Sequence, residues 1–155
     1  MKKPAAQSLK STALRLLATR EHSRLELRRK LEARASEGDD VDAVLERMSE
    51  TGLQSDQRFA ESYVRSKAAR LGAARIRREL EERGVAGEQV RAALDEVLEH
   101  DELSRARGVW QKKFGQVPGD AKEWARQARF LQSRGFSADI VRTLLRDPVD
   151  ESAEG

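Results

Sequence analysis

The chain contains no cysteine, which excludes disulfides, thiolate nucleophiles and cysteine-rich zinc sites. Aromatic residues are scarce at 5%, and there are only three prolines and two histidines. No uninterrupted apolar run exceeds three residues, as at 16–18, whereas a membrane-spanning helix needs about 20. The apolar stretch of a secretion signal is missing too. So is any phosphate-binding loop of the GxxxxGK[ST] kind. His22 precedes a helix cap and His100 lies near a boundary; both are expected to be surface or boundary residues, with no metal bound. The acidic clusters EGDD at 37–40 and EHDE at 99–102 stand at helix starts, where carboxylates complement the helix dipole. The expectation is a soluble, cytoplasmic, monomeric protein that is not an enzyme and holds no cofactor.

What the chain does have is charge. Of its 155 residues, 37% are charged and 38% apolar. One compact core would draw on more apolar material, so a thin, extended core is expected. The net charge of +3 hides a strong alternation. Residues 1–35 carry +7 and 36–62 carry −6; 65–84 carry +4 and 86–103 carry −5; 105–134 carry +6 and 135–155 carry −3.

A helix ending recurs in step with that alternation: LEARAS at 31–36, LEERGV at 80–85 and LQSRGF at 131–136. In the second, Arg83 ends a helix and Gly84 takes the left-handed conformation beyond it. Leu80 and Val85 are then the two positions that touch in a Schellman ending. Leu131, Gly135 and Phe136 repeat the pattern. Arg34, Arg83 and Arg134 each place a cation at the negative end of a helix dipole, worth about 0.3–1 kcal/mol. The first copy has Ala35 in the glycine position and Ser36 in the apolar one, so its helix is expected to run on toward Gly38.

Apolar stripes share the period. Val41, Val44, Leu45 and Met48 sit at i, i+3, i+4 and i+7, matched by Val90, Ala93, Leu94 and Val97 and by Val141, Leu144 and Leu145. Upstream, SRLE at 23–26 is a capping box, Asp120 opens a similar helix, and Gly72 is a weaker cap at the matching place. Ahead of each opening lies another stripe: Leu9, Ala13, Leu16 and Leu17; Phe59, Ala60, Tyr63 and Val64; Leu103, Ala106, Trp110 and Phe114. Gly52, with Ser55 or Asp56, separates the first two copies. A boundary of the same kind is expected around His100 and Asp101, and GQVPGD at 115–120 reads as a loop.

The pattern specifies an all-α protein of three tandem three-helix repeats, 8–53, 54–100 and 101–147, packed into an elongated, curved rod. Residues 1–7 and 148–155 lack periodicity and are expected as flexible tails.

Arg29, Arg78 and Arg129 occupy equivalent positions, accompanied by Arg28, Lys30, Arg75, Arg77, Lys112, Lys113, Lys122 and Arg126. Any one of these could simply be a solvated helix face. Repeated three times, they are expected to form a positive band suited to a long, repeating, negatively charged partner such as nucleic acid or a filament built on it. Aromatics are too few, and too regularly placed in core stripes, to suggest base stacking.

LLATREHSRLELRRKL at 16–31, DQRFAESYVRSKAARLGAARIRRELEERGV at 56–85 and QKKFG with RFLQSRGFS between 111 and 137 resemble the three signature segments of the RecX regulatory family. The resemblance covers residues 9 to 147. It implies a non-enzymatic negative regulator of the RecA recombinase, acting in DNA repair, homologous recombination and the SOS response. Such a protein lies along the groove of the RecA–DNA filament and inhibits ATP hydrolysis, strand exchange and coprotease activity. On that reading Arg28, Arg29, Arg75, Arg77, Arg78, Lys112, Lys113, Arg126 and Arg129 face the filament. Weak direct DNA binding is expected to accompany it. The alternatives are a nonspecific helical-repeat DNA binder that acts by competing for the strand, and an adaptor of an unrelated pathway.

Overall fold

A computed structural model describes residues 5–98 and 102–154, with side chains over 9–95 and 102–146. Nine α-helices follow one another in three triplets among the described residues, with no strand. The first triplet is α1 (Ala5–Thr19), α2 (Arg24–Glu32) and α3 (Val41–Glu50). The second is α4 (Asp56–Lys67), α5 (Ala73–Glu82) and α6 (Glu88–Leu98). The third is α7 (Glu102–Lys113), α8 (Ala121–Ser133) and α9 (Ala138–Glu154).

Extensive helix packing stays within each triplet. The apolar stripes accordingly build three separate cores. One gathers Leu9, Ala13, Leu27, Leu31, Leu45 and Met48; another surrounds Phe59, Val64, Ile76, Leu80 and Val85; the last surrounds Trp110, Leu131, Phe136 and Leu144. A compact protein of 17.5 kDa exposes about 7,900 Å², and this one exposes 9690 Å². The excess is what three small modules in a row should show.

The helix endings explain the repeated motif. At the end of α5 the Val85 amide donates to the Leu80 carbonyl (3.0 Å) and the Gly84 amide to Glu81 (3.0 Å), with Gly84 at φ +83°. The end of α8 matches it, with Phe136 donating to Leu131 (3.2 Å), Gly135 to Gln132 (2.9 Å), and Gly135 at φ +96°. Both are Schellman endings. The first copy differs from expectation. Helix α2 stops at Glu32 instead of running toward Gly38, and Ala35 keeps a negative φ. Its Ser36 amide is satisfied by the Asp39 carboxylate instead, at 2.8 Å.

Caps form where the sequence placed them. Ser23 makes the full capping box with Glu26, Ser55 caps α4, Asp120 caps α8, and Gly72 opens α5 without a side-chain bond. The backbone is helical at 5–7 and 148–154, where tails were expected. The boundary at His100 and Asp101 lies outside the described residues.

Candidate basic interaction surface

The modules meet end-on through their second helices, and the same device is used twice. The C-terminal end of α5 abuts the N-terminal end of α2, where Ser23 Oγ donates to the Arg83 carbonyl at 2.7 Å. The C-terminal end of α8 abuts α5 in the same way, where the Gly72 amide donates to the Arg134 carbonyl at 2.7 Å. Negative and positive dipole ends therefore face each other at both contacts. In each case the first amide of the helix is capped by the acidic residue that opens the next module. Arg24 N donates to Asp56 Oδ1 (2.8 Å) and Ala73 N to Glu102 Oε1 (2.8 Å).

His22 sits inside the first of these junctions, 1% exposed, which corrects its expected surface placement. The turn between α1 and α2 tucks its ring beneath the second module. Nδ1 lies 3.0 Å from the Arg20 carbonyl and Nε2 3.1 Å from Lys30 Nζ, while its own carbonyl accepts from buried Gln54 (3.3 Å). With a carbonyl on one nitrogen and an ammonium on the other, the ring is neutral with its proton on Nδ1. Burial pushes its pKa below 6.5, aided by the Arg20 and Lys30 charges and opposed by the Arg20 carbonyl and Glu26.

The second junction opens onto a basic groove of about 430 Å³. Ala69, Gly108, Val109 and Phe130 form its floor; Arg70, Lys112, Lys113 and Arg134 form its rim. Arg70 and Arg134 continue into an adjoining hollow with Lys67, Arg75 and Glu79, and Lys113 leads to another with Phe114 and Arg126. Cations cover the rings here. Lys113 Nζ lies 5.4 Å and the Arg134 guanidinium 4.9 Å from the Phe130 centroid, and Arg126 lies 5.0 Å from that of Phe114.

The expected site residues are not brought to one place. Lys112 and Lys113 line the groove, and Arg126 lines its extension, clamped by Glu123 at 2.7 Å and 3.0 Å. That bond to Arg126, then one from Gln127, holds the Glu123 carboxyl below its usual range. Arg75 and Arg78 share a neighbouring hollow with Ser133 and Gly135. Arg75 is spent on structure there, bonding Glu79 (3.0 Å) and the Ser133 carbonyl (2.9 Å). Arg77 lies apart, with Glu81 and Arg91.

In the first module Arg28 pairs with Asp42 at 2.7 Å, away from the groove, and Arg29 is exposed. Arg29, Arg77, Arg78, Arg129 and Lys112 have no ionic partner among the described residues. The repeat period did not single out Lys67 and Arg70. Lys67 ends α4 and Arg70 stands in the connection to α5; the sequence KAARLG carries these two cations, and only the fold brings Arg70 to the same groove as Lys112.

Behind the groove, Tyr63 links the two junctions. Its hydroxyl bonds Glu79, and Lys67 and Arg83 lie 5.3 Å and 4.8 Å from its ring centroid. Burial and then the Glu79 bond push the Tyr63 pKa up to about 12. Burial works to raise Glu79, but the bonds from Tyr63 and Arg75 outweigh it and hold the carboxyl low. Arg83 continues to Glu26 across the first junction at 3.6 Å. Among the described residues no cluster of three metal-ligating side chains occurs. No described helix is long and apolar enough to cross a membrane.

A tandem array of three-helix modules places the chain in the helical-repeat class of folds, with a cationic groove at one junction. The comparisons specify it further. Models of the first, second and third three-helix domains of RecX match residues 10–48, 55–94 and 100–145. The chain is 50% identical over 139 residues to the regulatory protein RecX of Leptothrix cholodnii, covering 90% of this chain and 88% of that protein. It is 48% identical over 156 residues to the same-named protein of Halorhodospira halophila, covering 97% and 94%. The crystal structure of RecX from Lactobacillus salivarius superposes with a TM-score of 0.77 at 21% identity, over 92% of this chain and 96% of that one. The chain belongs to the RecX family of regulatory proteins.

Proposed function

We propose that this protein is a non-enzymatic negative regulator of the RecA recombinase. It binds in the groove of RecA–DNA filaments through basic helical surfaces and restrains ATP hydrolysis, strand exchange and coprotease activity. Family membership supplies the regulatory role. The observation that supports the choice of surface is the joined set of cationic hollows at the junction of the second and third modules, lined by Lys112 and Arg78, both exposed and without ionic partners; Arg129, equally exposed, stands outside the hollows on α8. An extended body with end-on, repeated junctions matches a partner that itself repeats along an axis. Cations with no internal partner are the ones whose attraction is available to another molecule.

The test is a RecA ATPase assay on preformed filaments with Arg78→Glu and Arg129→Glu combined. Inhibition should weaken by about tenfold or more, since reversal turns attraction into repulsion, while the circular dichroism melt stays unchanged. Unaltered inhibition removes those two arginines from the surface. Binding bare DNA as tightly as the filament, with a steep salt dependence, would favour competition for the strand instead.

A further inference from the structure

The groove between the second and third modules has a feature that the fold does not require. Gly108 stands in the middle of α7 without a positive φ, and a Cβ built on it would meet nothing within 4 Å. Glycine inside a helix weakens it relative to alanine, and here neither backbone geometry nor close packing demands it. What the missing side chain does is keep the floor open beside Val109 and Ala69.

We infer that this groove receives an acidic peptide segment of a partner protein, one that seats an aliphatic side chain over Gly108 between flanking carboxylates. The inference rests on the functional reading above and specifies that protein, not nucleic acid, is met at this point of the surface. Two observations favour a peptide. The floor is apolar, which rewards burial of a side chain and offers nothing to a phosphodiester. The one aromatic ring in it, Phe130, already has the Lys113 and Arg134 cations 5.4 Å and 4.9 Å from its centroid and Phe114 edge-on at 5.4 Å, so a stacking base would compete with those contacts. The rim supplies the complementary charge: Arg70, Lys112, Lys113 and Arg134 surround the opening. Arg134 and Lys113 stay close to the ring, and Arg70 and Lys112 are exposed on either side.

The probe is a fluorescein-labelled peptide of glutamates with one central leucine, compared by polarisation with the same peptide carrying serine. The full-length protein should bind the leucine form about tenfold more tightly or better, the ratio expected from burying one aliphatic side chain. Gly108→Leu fills the floor without touching the rim and should abolish that preference, with its melt unchanged or improved. Gly108→Ala, which leaves most of the volume, should keep it. Arg70→Glu with Lys112→Glu should remove binding of both peptides. Equal binding of the two peptides, or a leucine preference that survives Gly108→Leu, overturns the inference. So does an oligothymidylate that displaces the peptide and is itself weakened by Gly108→Leu, a result that would assign the groove to nucleic acid. A protein that binds RecA filaments but neither peptide loses this inference and keeps the functional reading.

Discussion

The two junctions share a design and differ in what holds them. Between the first and second modules the contact is made by side chains. Ser23 reaches Arg83, Gln54 reaches His22 and Asp56, Arg58 pairs with Glu21 at 2.9 Å, and Arg83 with Glu26. Between the second and third, backbone meets backbone. Gly72 and Gly135 approach so closely that a Cβ on Gly72 would lie 2.3 Å from the Gly135 oxygen. Arg105 then ties the contact by donating to the Ala68 (2.7 Å) and Leu71 (3.1 Å) carbonyls. The first junction can adjust, because long polar side chains can rearrange. The second has little room, and the basic groove that it borders inherits that rigidity.

Both tryptophans, Trp110 and Trp124, lie in the third module, so fluorescence reports that module while circular dichroism reports all three. Urea melts followed by both signals can therefore break the comparison. The largest loss is expected for Gly135→Ala, about 2–4 kcal/mol, because a left-handed φ and a Cβ 2.4 Å from that of Arg75 act together. Gly84→Ala should cost less, about 1–3 kcal/mol, since its Cβ meets only the Leu25 side chain, with Leu25 Cβ at 2.8 Å, whereas at Gly135 the Arg75 backbone nitrogen stands at 2.6 Å as well. Equal losses would mean that the two junctions are equally stiff.

Next in size is Arg105→Met, expected to cost about 2 kcal/mol by leaving two carbonyls short of a donor, and seen in the fluorescence transition. Ser23→Ala should follow at about 1–2 kcal/mol, larger in circular dichroism than in fluorescence, through loss of a cap and of the Arg83 contact.

The smallest effect is expected from pH. His22 has a folded pKa below 6.5, so the unfolded chain takes up a proton that the folded one excludes. Its stabilisation is full above about pH 6.5 and is lost as pH falls through the lower folded value. Limited proteolysis at the connection from α3 to α4 should speed up over that interval in the wild type and not in His22→Gln. Acceleration at the α7–α8 side alone would place the acid-sensitive contact elsewhere.

Much of this molecule was legible in one dimension. The stripes at i, i+3, i+4 and i+7 became the cores, and LEERGV and LQSRGF became the Schellman endings, because each signal is carried by residues within about one or two helical turns. The site was legible only in part. Lys112 and Lys113 reached the groove, but Arg75 and Arg28 were consumed by Glu79, Ser133 and Asp42, neighbours that no spacing rule supplies. For His22 the boundary position was legible and the burial was not, because burial depends on what another module lays over it, and Gln54 is 32 residues away.

The sequence by itself determined the helices, their caps, the number of modules and the alternation of charge, since local hydrogen bonding and side-chain periodicity decide those. Only the tertiary structure decided which of the described cations lack an ionic partner, that His22 is buried and that Gly108 lines a cationic groove. Those properties arise where one module's helix end meets the next, and that meeting depends on distances between residues tens of positions apart.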